Sequence, residues 1–173
     1  EIYMGDWSSD VCSSDLDKTN IGLASKSLQK VIGVLGKVIA DQYVLYTKTR
    51  NYHWNVTGED FAQYHKLFEE QYSAIDEDID EVAERIRALG GKTPGTLGEF
   101  LKSATLKEHP AKYPAAKTMI ANLLADHETV VRNLRKSIEI CGGVDDAGTE
   151  DFLTQLMEKH EKTAWMLRAT LEN

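Results

Sequence analysis

From Phe61 to Leu89 apolar and aromatic residues return in alternating steps of four and three: Phe61, His65, Phe68, Tyr72, Ile75, Ile79, Val82, Ile86 and Leu89. Only an α-helix gathers such positions on one face, so the stretch from about Asp60 to Leu89 is expected to be one helix, stopped by Gly90-Gly91. A helix of roughly 30 residues is about 45 Å long, and its stripe needs partners of similar length along its whole extent. That requirement leaves helical bundles and excludes most other folds.

The rest of the chain supplies those partners. Leu28, Val31, Ile32, Leu35, Val38, Ile39, Leu45, Tyr46, Thr49, Tyr52 and His53 recur at threes and fours, which predicts a first long helix from Ser25 to the Val56-Thr57-Gly58 break, with Ser25 or Ser27 as its cap. A third helix is expected from about Ala115 to Ile140, ended by Gly142-Gly143, and a fourth from about Thr149 to Leu171. All three prolines, Pro94, Pro110 and Pro114, fall between the second and third helices, so that connection is a long crossover. Within it, Thr96 followed by Glu99 makes a capping box for a short helix through Phe100 and Leu101. No segment alternates as a strand does. The expectation is all-α: a ferritin-like, up-down-down-up four-helix bundle with a short helix in the crossover between the second and third helices.

At 173 residues and 42% hydrophobic content the chain can bury one sizeable core, so one domain is expected over residues 25–173. Residues 1–24 lack a helical or strand period and are expected to be a disordered tail; the run Asp6 to Leu16 resembles a translated sequencing adapter, and no function is assigned to it. No apolar run reaches the roughly 20 residues of a membrane span, and the N-terminus has no signal-peptide pattern, so a soluble cytoplasmic protein is expected. Cys12 and Cys141 lie far apart, form no redox or metal spacing, and read as free thiols. A net charge of −8 disfavours general attraction to nucleic acid and suits the gathering of cations.

Two ligand pairs occupy the second helix. His65 and Glu69 are four apart, as are Asp80 and Glu84, and positions four apart on a helix lie one above the other, so each pair can grip a cation. They cannot grip the same one, because His65 and Glu84 are separated by roughly 28 Å along the axis, whereas the ligands of one ion or one dinuclear centre converge within a few Å. One chain therefore carries two half-sites, and a second copy packed antiparallel across a two-fold axis would bring His65 and Glu69 of one against Asp80 and Glu84 of the other.

Among the five histidines only His65 has a carboxylate one helical turn away. His127 and His160 lie on apolar stripes without a second ligand and read as core histidines, while His109 precedes Pro110 in a loop. His53 gains weight from lying 12 residues before His65 across a turn, where two antiparallel helices can bring both imidazoles to one end of the bundle. For Asp80 and Glu84 the competing reading is a solvated acidic face, since Asp76, Glu77, Asp78 and Glu81 crowd the same region. No histidine follows a glutamate by three residues, so the Glu-x-x-His pairs of a di-iron site inside one bundle are missing.

The stretches Lys48 to Gly58, Tyr64 to Tyr72 and Asp80 to Gly91, with His160 to Leu167 near the end, closely resemble the Dps family, the miniature ferritins; the likeness runs from about residue 22 to the C-terminus. The resemblance implies a hollow dodecamer built from dimers that oxidises Fe(II) with hydrogen peroxide and stores the ferric mineral, with the ferroxidase centre shared across a two-fold interface. It places first-subunit iron ligands at His53, His65 and Glu69 and partner-subunit ligands at Asp80 and Glu84. Trp54 matches a family tryptophan tied to electron transfer near the centre, though an aromatic packed between helices is an equal reading. Position 69 is Glu where many members have Asp.

The family's second activity, DNA condensation, usually rests on a Lys- or Arg-rich tail. Residues 1–24 hold one Lys against five acids, and no basic extension follows the last helix, so direct DNA binding is not expected. The alternative reading is a nucleoid-binding structural protein with little ferroxidase activity. Asp145, Asp146, Glu150 and Asp151 beside Gly142-Gly143 suggest an acidic iron entry pore, against the plainer reading of a helix N-terminus enriched in acids.

Overall fold

The computed structural model describes residues 19–172; the expected tail falls largely on residues 1–18, outside the described residues. The described residues form five helices and no strand: α1 (Ser25–Asn55), α2 (Phe61–Ala88), the short α3 (Leu97–Ser103), α4 (Ala116–Gly142) and α5 (Ala147–Leu171). Helix α1 packs chiefly on α2, and α4 on α5; α1 also meets α3 and α4, so the two hairpins close into a four-helix bundle with α3 in the crossover. The expected all-α, ferritin-like architecture is the one observed. No helix among the described residues is long and apolar enough to cross a membrane.

The stripe of α2 is buried from Phe68 through Ile75, Ile79, Val82, Ile86 and Leu89, facing Leu28, Val31, Ile32, Leu35, Ile39 and Leu45 of α1. Each such side chain contributes about 1.5–3 kcal/mol relative to exposure, so a miss in the alternation would be felt at once. Phe61, the first member of the stripe, is exposed, because it stands at the helix start beyond the reach of the core. The C-terminal stop is a Schellman turn: Gly90 adopts φ +86°, its N–H donates to Arg87 O, and Gly91 N–H reaches back to Ile86 O. A Cβ on Gly91 would stand 2.9–3.0 Å from Ile32 and Ile86, so this position also allows α1 and α2 to approach closely.

Helix α1 begins at Ser25 as expected, but its cap and the start of α5 differ from expectation. Neither Ser25 nor Ser27 is the cap of α1; the N-cap is Ala24, with no side-chain cap hydrogen bond. Helix α5 begins at Ala147, two residues early, because the Asp146 carboxylate captures the Thr149 N–H at 3.0 Å and pulls Thr149 inside the helix. The α3 capping box is present in full, Glu99 N–H donating to the Thr96 hydroxyl and Thr96 N–H to the Glu99 carboxylate. Buried Asp41 fastens the crossover to α1, accepting from Thr105 N (2.6 Å), Leu106 N (3.0 Å) and the Thr105 hydroxyl (2.8 Å).

His127 and His160 are core histidines, as the sequence indicates. Their Nδ1 atoms lie 2.8 Å apart, and His160 Nε2 meets the Gln42 amide at 2.6 Å, so a short polar chain threads the bundle interior. Burial drives both pKa values down, that of His160 to about 4 and that of His127 well below the ordinary range, with the neighbouring His160 adding to the second effect. The folded chain thus binds fewer protons here than the unfolded one, and stability present above about pH 6.5 is lost as pH falls towards the folded values. Lowering a histidine from 6.5 to about 4 corresponds to roughly 3 kcal/mol. Urea midpoints measured at about pH 7.5, 6 and 5 should fall in that order, and the slope should flatten in the His127→Leu/His160→Leu double variant; an equal slope in that variant would show that other groups cause it.

Candidate metal centre

The end of α1 and the start of α2 present His53 and His65 to each other. His53 Nδ1 donates to the backbone carbonyl of His65 at 2.7 Å, and His65 Nδ1 donates to that of His53 at 2.9 Å. The rings stack with centroids 3.7 Å apart and planes 23° from parallel. A carbonyl only accepts, so each Nδ1 must carry the proton; each neutral ring then presents its lone pair on Nε2, the tautomer that binds a metal ion. The exchange also satisfies the His53 carbonyl in the last turn of α1, one of four that the helix itself leaves without a partner. Two imidazoles are thereby aimed by backbone, with no dependence on a flexible side chain.

Glu69 follows His65 by one turn and is exposed, as are Asp80 and Glu84 farther along α2. His53 and His65 are brought together; the two carboxylate sets are not brought to one point. Among the described residues no group of three or more His, Cys, Asp or Glu stands close enough to hold one ion. The acidic run itself is sorted by the fold. Buried Asp78 pairs with Lys159 at 2.6 Å, and Glu81 approaches the same ammonium at 3.4 Å. Burial raises the Asp78 pKa, against the opposing pull of Lys159. Asp76 and Asp80 instead line an open groove of about 500 Å³ with Ile39, Tyr43 and Phe100. Solvated acidic face and candidate ligand ledge therefore coexist on one helix.

Around His53 the fold adds residues that the sequence analysis placed in the core or passed over. Tyr72 meets the His53 ring edge-on at 5.2 Å. Arg50 donates to the Tyr46 hydroxyl, and its guanidinium sits 5.7, 5.1 and 5.5 Å from the ring centres of Tyr46, Trp54 and Tyr72. Trp54 is 65% exposed and so is not an aromatic packed between helices of this chain. One turn back from His53 and Trp54 lie Thr49 and Arg50, and two turns back from His53 lies Tyr46, a spacing signal that was available; Lys159, far away in sequence, offered none.

At the α4–α5 junction the pore expectation needs correction at Asp146. This residue is buried, caps α5 through Thr149, and pairs with Arg85 at 3.0 Å, so its carboxylate is consumed by structure. Asp145 and Asp151 are exposed and Glu150 is half-buried.

Residues 32–173 match the ferritin family, described as a ferritin-like domain. The chain is 42% identical over 143 residues to DNA protection during starvation protein 2 of Bacillus anthracis, covering 83% of this chain and 97% of the relative. The chain belongs to the Dps family. A low temperature-induced protein of Nostoc sp. is 48% identical over 158 residues, 91% of this chain and 88% of the relative. The crystal structure of the Dps protein from Vibrio cholerae O1, described as a member of a broad superfamily of ferritin-like diiron-carboxylate proteins, superposes with a TM-score of 0.85 at 33% identity, covering 89% of this chain and 97% of that one. Dps from Staphylococcus aureus gives 0.79 at 36% identity, with 83% and 95% covered.

Because Asp146 joins cap, hydroxyl and guanidinium, Asp146→Ala should lower stability by about 2–3 kcal/mol, read as a shift in the urea midpoint. Asp151→Asn, at an exposed position, should stay within about 0.5 kcal/mol of the parent. Equal effects would mean that Asp146 is not the structural member of the cluster.

Proposed function

We propose that this Dps-family chain is a ferroxidase. It oxidises Fe(II) with hydrogen peroxide at a centre completed by a second copy across a two-fold axis, and stores the ferric product inside a hollow dodecamer. The observation that carries the reading is the reciprocal His53–His65 exchange, which orients two imidazoles one helical turn from Glu69 in sequence while Asp80 and Glu84 stand too far along the same helix to join them. His53, His65 and Glu69 of one copy with Asp80 and Glu84 of another form a set of imidazole and carboxylate donors. Imidazole accepts Fe(II) well, and the hard carboxylate oxygens favour the ferric product.

Iron is the substrate. Two Fe(II), one hydrogen peroxide and two protons give two Fe(III) and two waters, so a centre that holds two irons delivers both electrons without releasing a hydroxyl radical. The chain's part is to orient the imidazoles through their Nδ1 bonds to backbone, and to concentrate Fe(II) by its net charge of −8. Trp54, next to His53 in sequence, stands at the surface with its ring 5.1 Å from the Arg50 guanidinium.

Subunit complementation tests the shared centre. His65→Ala and Asp80→Ala should each abolish rapid peroxide-dependent iron oxidation, while co-assembly of the two variants should restore part of it, because a mixed dimer regains one intact centre. Absence of any rescue in verified mixed dimers would overturn the sharing.

The relatives' name concerns DNA, whereas a net charge of −8 works against the phosphate attraction on which non-specific duplex binding rests. Plasmid mobility in a gel at about 0.15 M salt should be unchanged by the assembled protein. The same protein should still shield the plasmid from iron-and-peroxide cleavage, and His65→Ala should lose that protection. A salt-resistant mobility shift would instead support the structural, nucleoid-binding reading.

A further inference from the structure

The two ligand sets of one chain are separated along α2, yet an unbroken file of aromatic rings runs between them. His53 meets Tyr72 at 5.2 Å, Tyr72 meets Tyr46 at 6.1 Å, Tyr46 meets Tyr43 at 6.1 Å, and Tyr43 stacks on Phe100 at 4.0 Å. The file begins at the imidazole pair and ends at the groove that Tyr43 and Phe100 share with Asp76 and Asp80. Packing alone would be served by phenylalanine at each step. Three successive phenols instead supply side chains that can be oxidised. We infer that Tyr72, Tyr46 and Tyr43 form an electron relay joining the two iron-oxidising centres of a dimer, so that one peroxide draws its two electrons from irons held at different centres. The inference rests on the shared-centre reading above, under which the His53 end and the Asp80 end of one chain belong to different centres.

The chemistry the relay serves is a shortfall at low iron. A lone Fe(II) gives peroxide one electron and would release a hydroxyl radical. With the relay, one Fe(II), one hydrogen peroxide, one proton and one tyrosine give Fe(III), two waters and a neutral tyrosyl radical. The radical then takes an electron from Fe(II) at the other centre and a proton from water, which restores the phenol and leaves a second Fe(III). The sum is the reaction already written for two irons.

Arg50 sets the route. Its guanidinium donates to the Tyr46 oxygen, so the phenolic proton points elsewhere, and the half-buried ring can release it to solvent. An oxidised tyrosine that has lost its proton is neutral and is not repelled by the cation beside it. An oxidised indole is a cation, and Trp54 lies with its ring centre 5.1 Å from the same guanidinium. Charge therefore passes between centres through the tyrosines and bypasses Trp54.

The experiment mixes the full-length assembly, loaded with one Fe(II) per dimer, with hydrogen peroxide and freezes it rapidly for EPR, alongside spin trapping of hydroxyl radical. The unmodified protein should show a transient organic radical whose spectrum narrows when tyrosine is ring-deuterated. In Tyr46→Phe and Tyr72→Phe, which keep the ring packing, that signal should fall several-fold and trapped hydroxyl radical should rise several-fold, the difference narrowing as iron is added to saturation. An unchanged signal and unchanged radical escape in both variants would overturn the relay, as would narrowing by deuterated tryptophan instead. Should the unmodified protein fail to oxidise Fe(II) with peroxide, the ferroxidase reading falls and takes the relay with it; oxidation that proceeds identically in parent and variants removes the relay alone.

Discussion

Much of this structure hangs on an exchange of two hydrogen bonds across one short turn. Each of His53 and His65 gives its Nδ1 proton to the other's backbone carbonyl, which ties the last turn of α1 to the first turns of α2 and settles both tautomers at once. Bonds between imidazole and carbonyl are worth on the order of 1 kcal/mol each, too little to fold a bundle. Their value is orientation: the carbonyls belong to helices whose positions are fixed by the buried stripe, so the Nε2 atoms inherit the rigidity of the core. A ligand pair held only through its own rotamers would have to order two side chains when a metal ion bound.

The same residue type has two fates here, and burial decides between them. His127 and His160 sit in the core, where desolvation keeps them neutral and where they bond to each other and to Gln42. His53 is buried against α2 yet lies beside half-buried His65 at one end of the bundle, where a ring nitrogen can face a ligand. Both pairs are close, and both bridge two helices. What separates them is the partner: the core pair bonds through both Nδ1 atoms and His160 Nε2 to side chains, leaving buried His127 Nε2 unbonded, while the end pair spends the Nδ1 of each ring on backbone.

That distinction explains what was legible beforehand. Helix bounds, the long crossover and the capping box follow from periodicity, proline and local side-chain bonds, all carried by residues within a turn of one another. The start of α5 differs because several caps are chemically available and a tertiary partner selects among them, Asp146 being drawn into its cap by Arg85, 61 residues earlier; α1 starts where expected, at Ser25, but is capped by Ala24. His65, Glu69, Asp80 and Glu84 announced themselves by helical spacing, and the inability of one chain to gather them followed from the rise of the helix alone. Tyr46 and Tyr72 did not single themselves out, since aromatic residues on an apolar stripe look the same whether they fill the core or flank a site. Lys159 could not be anticipated, yet it divides the acidic run into carboxylates that are paired and carboxylates that are open.

An open carboxylate ledge beside a fixed imidazole pair has an energetic logic. Bringing Glu69, Asp80 and Glu84 together within one chain would crowd like charges in the absence of metal, and each would resist ionisation beside the others. Spacing them along α2 leaves each exposed to solvent, and under the proposed sharing the repulsion would arise only where a cation is present to offset it. In the proposed shared centre, assembly and metal capture would favour each other: iron bridging two copies would strengthen the contact between them, and the contact would supply the ligands that iron needs. The long buried stripe of α2 runs beneath this ledge, so the core fixes its two ends relative to each other, as the proposed two-fold sharing requires.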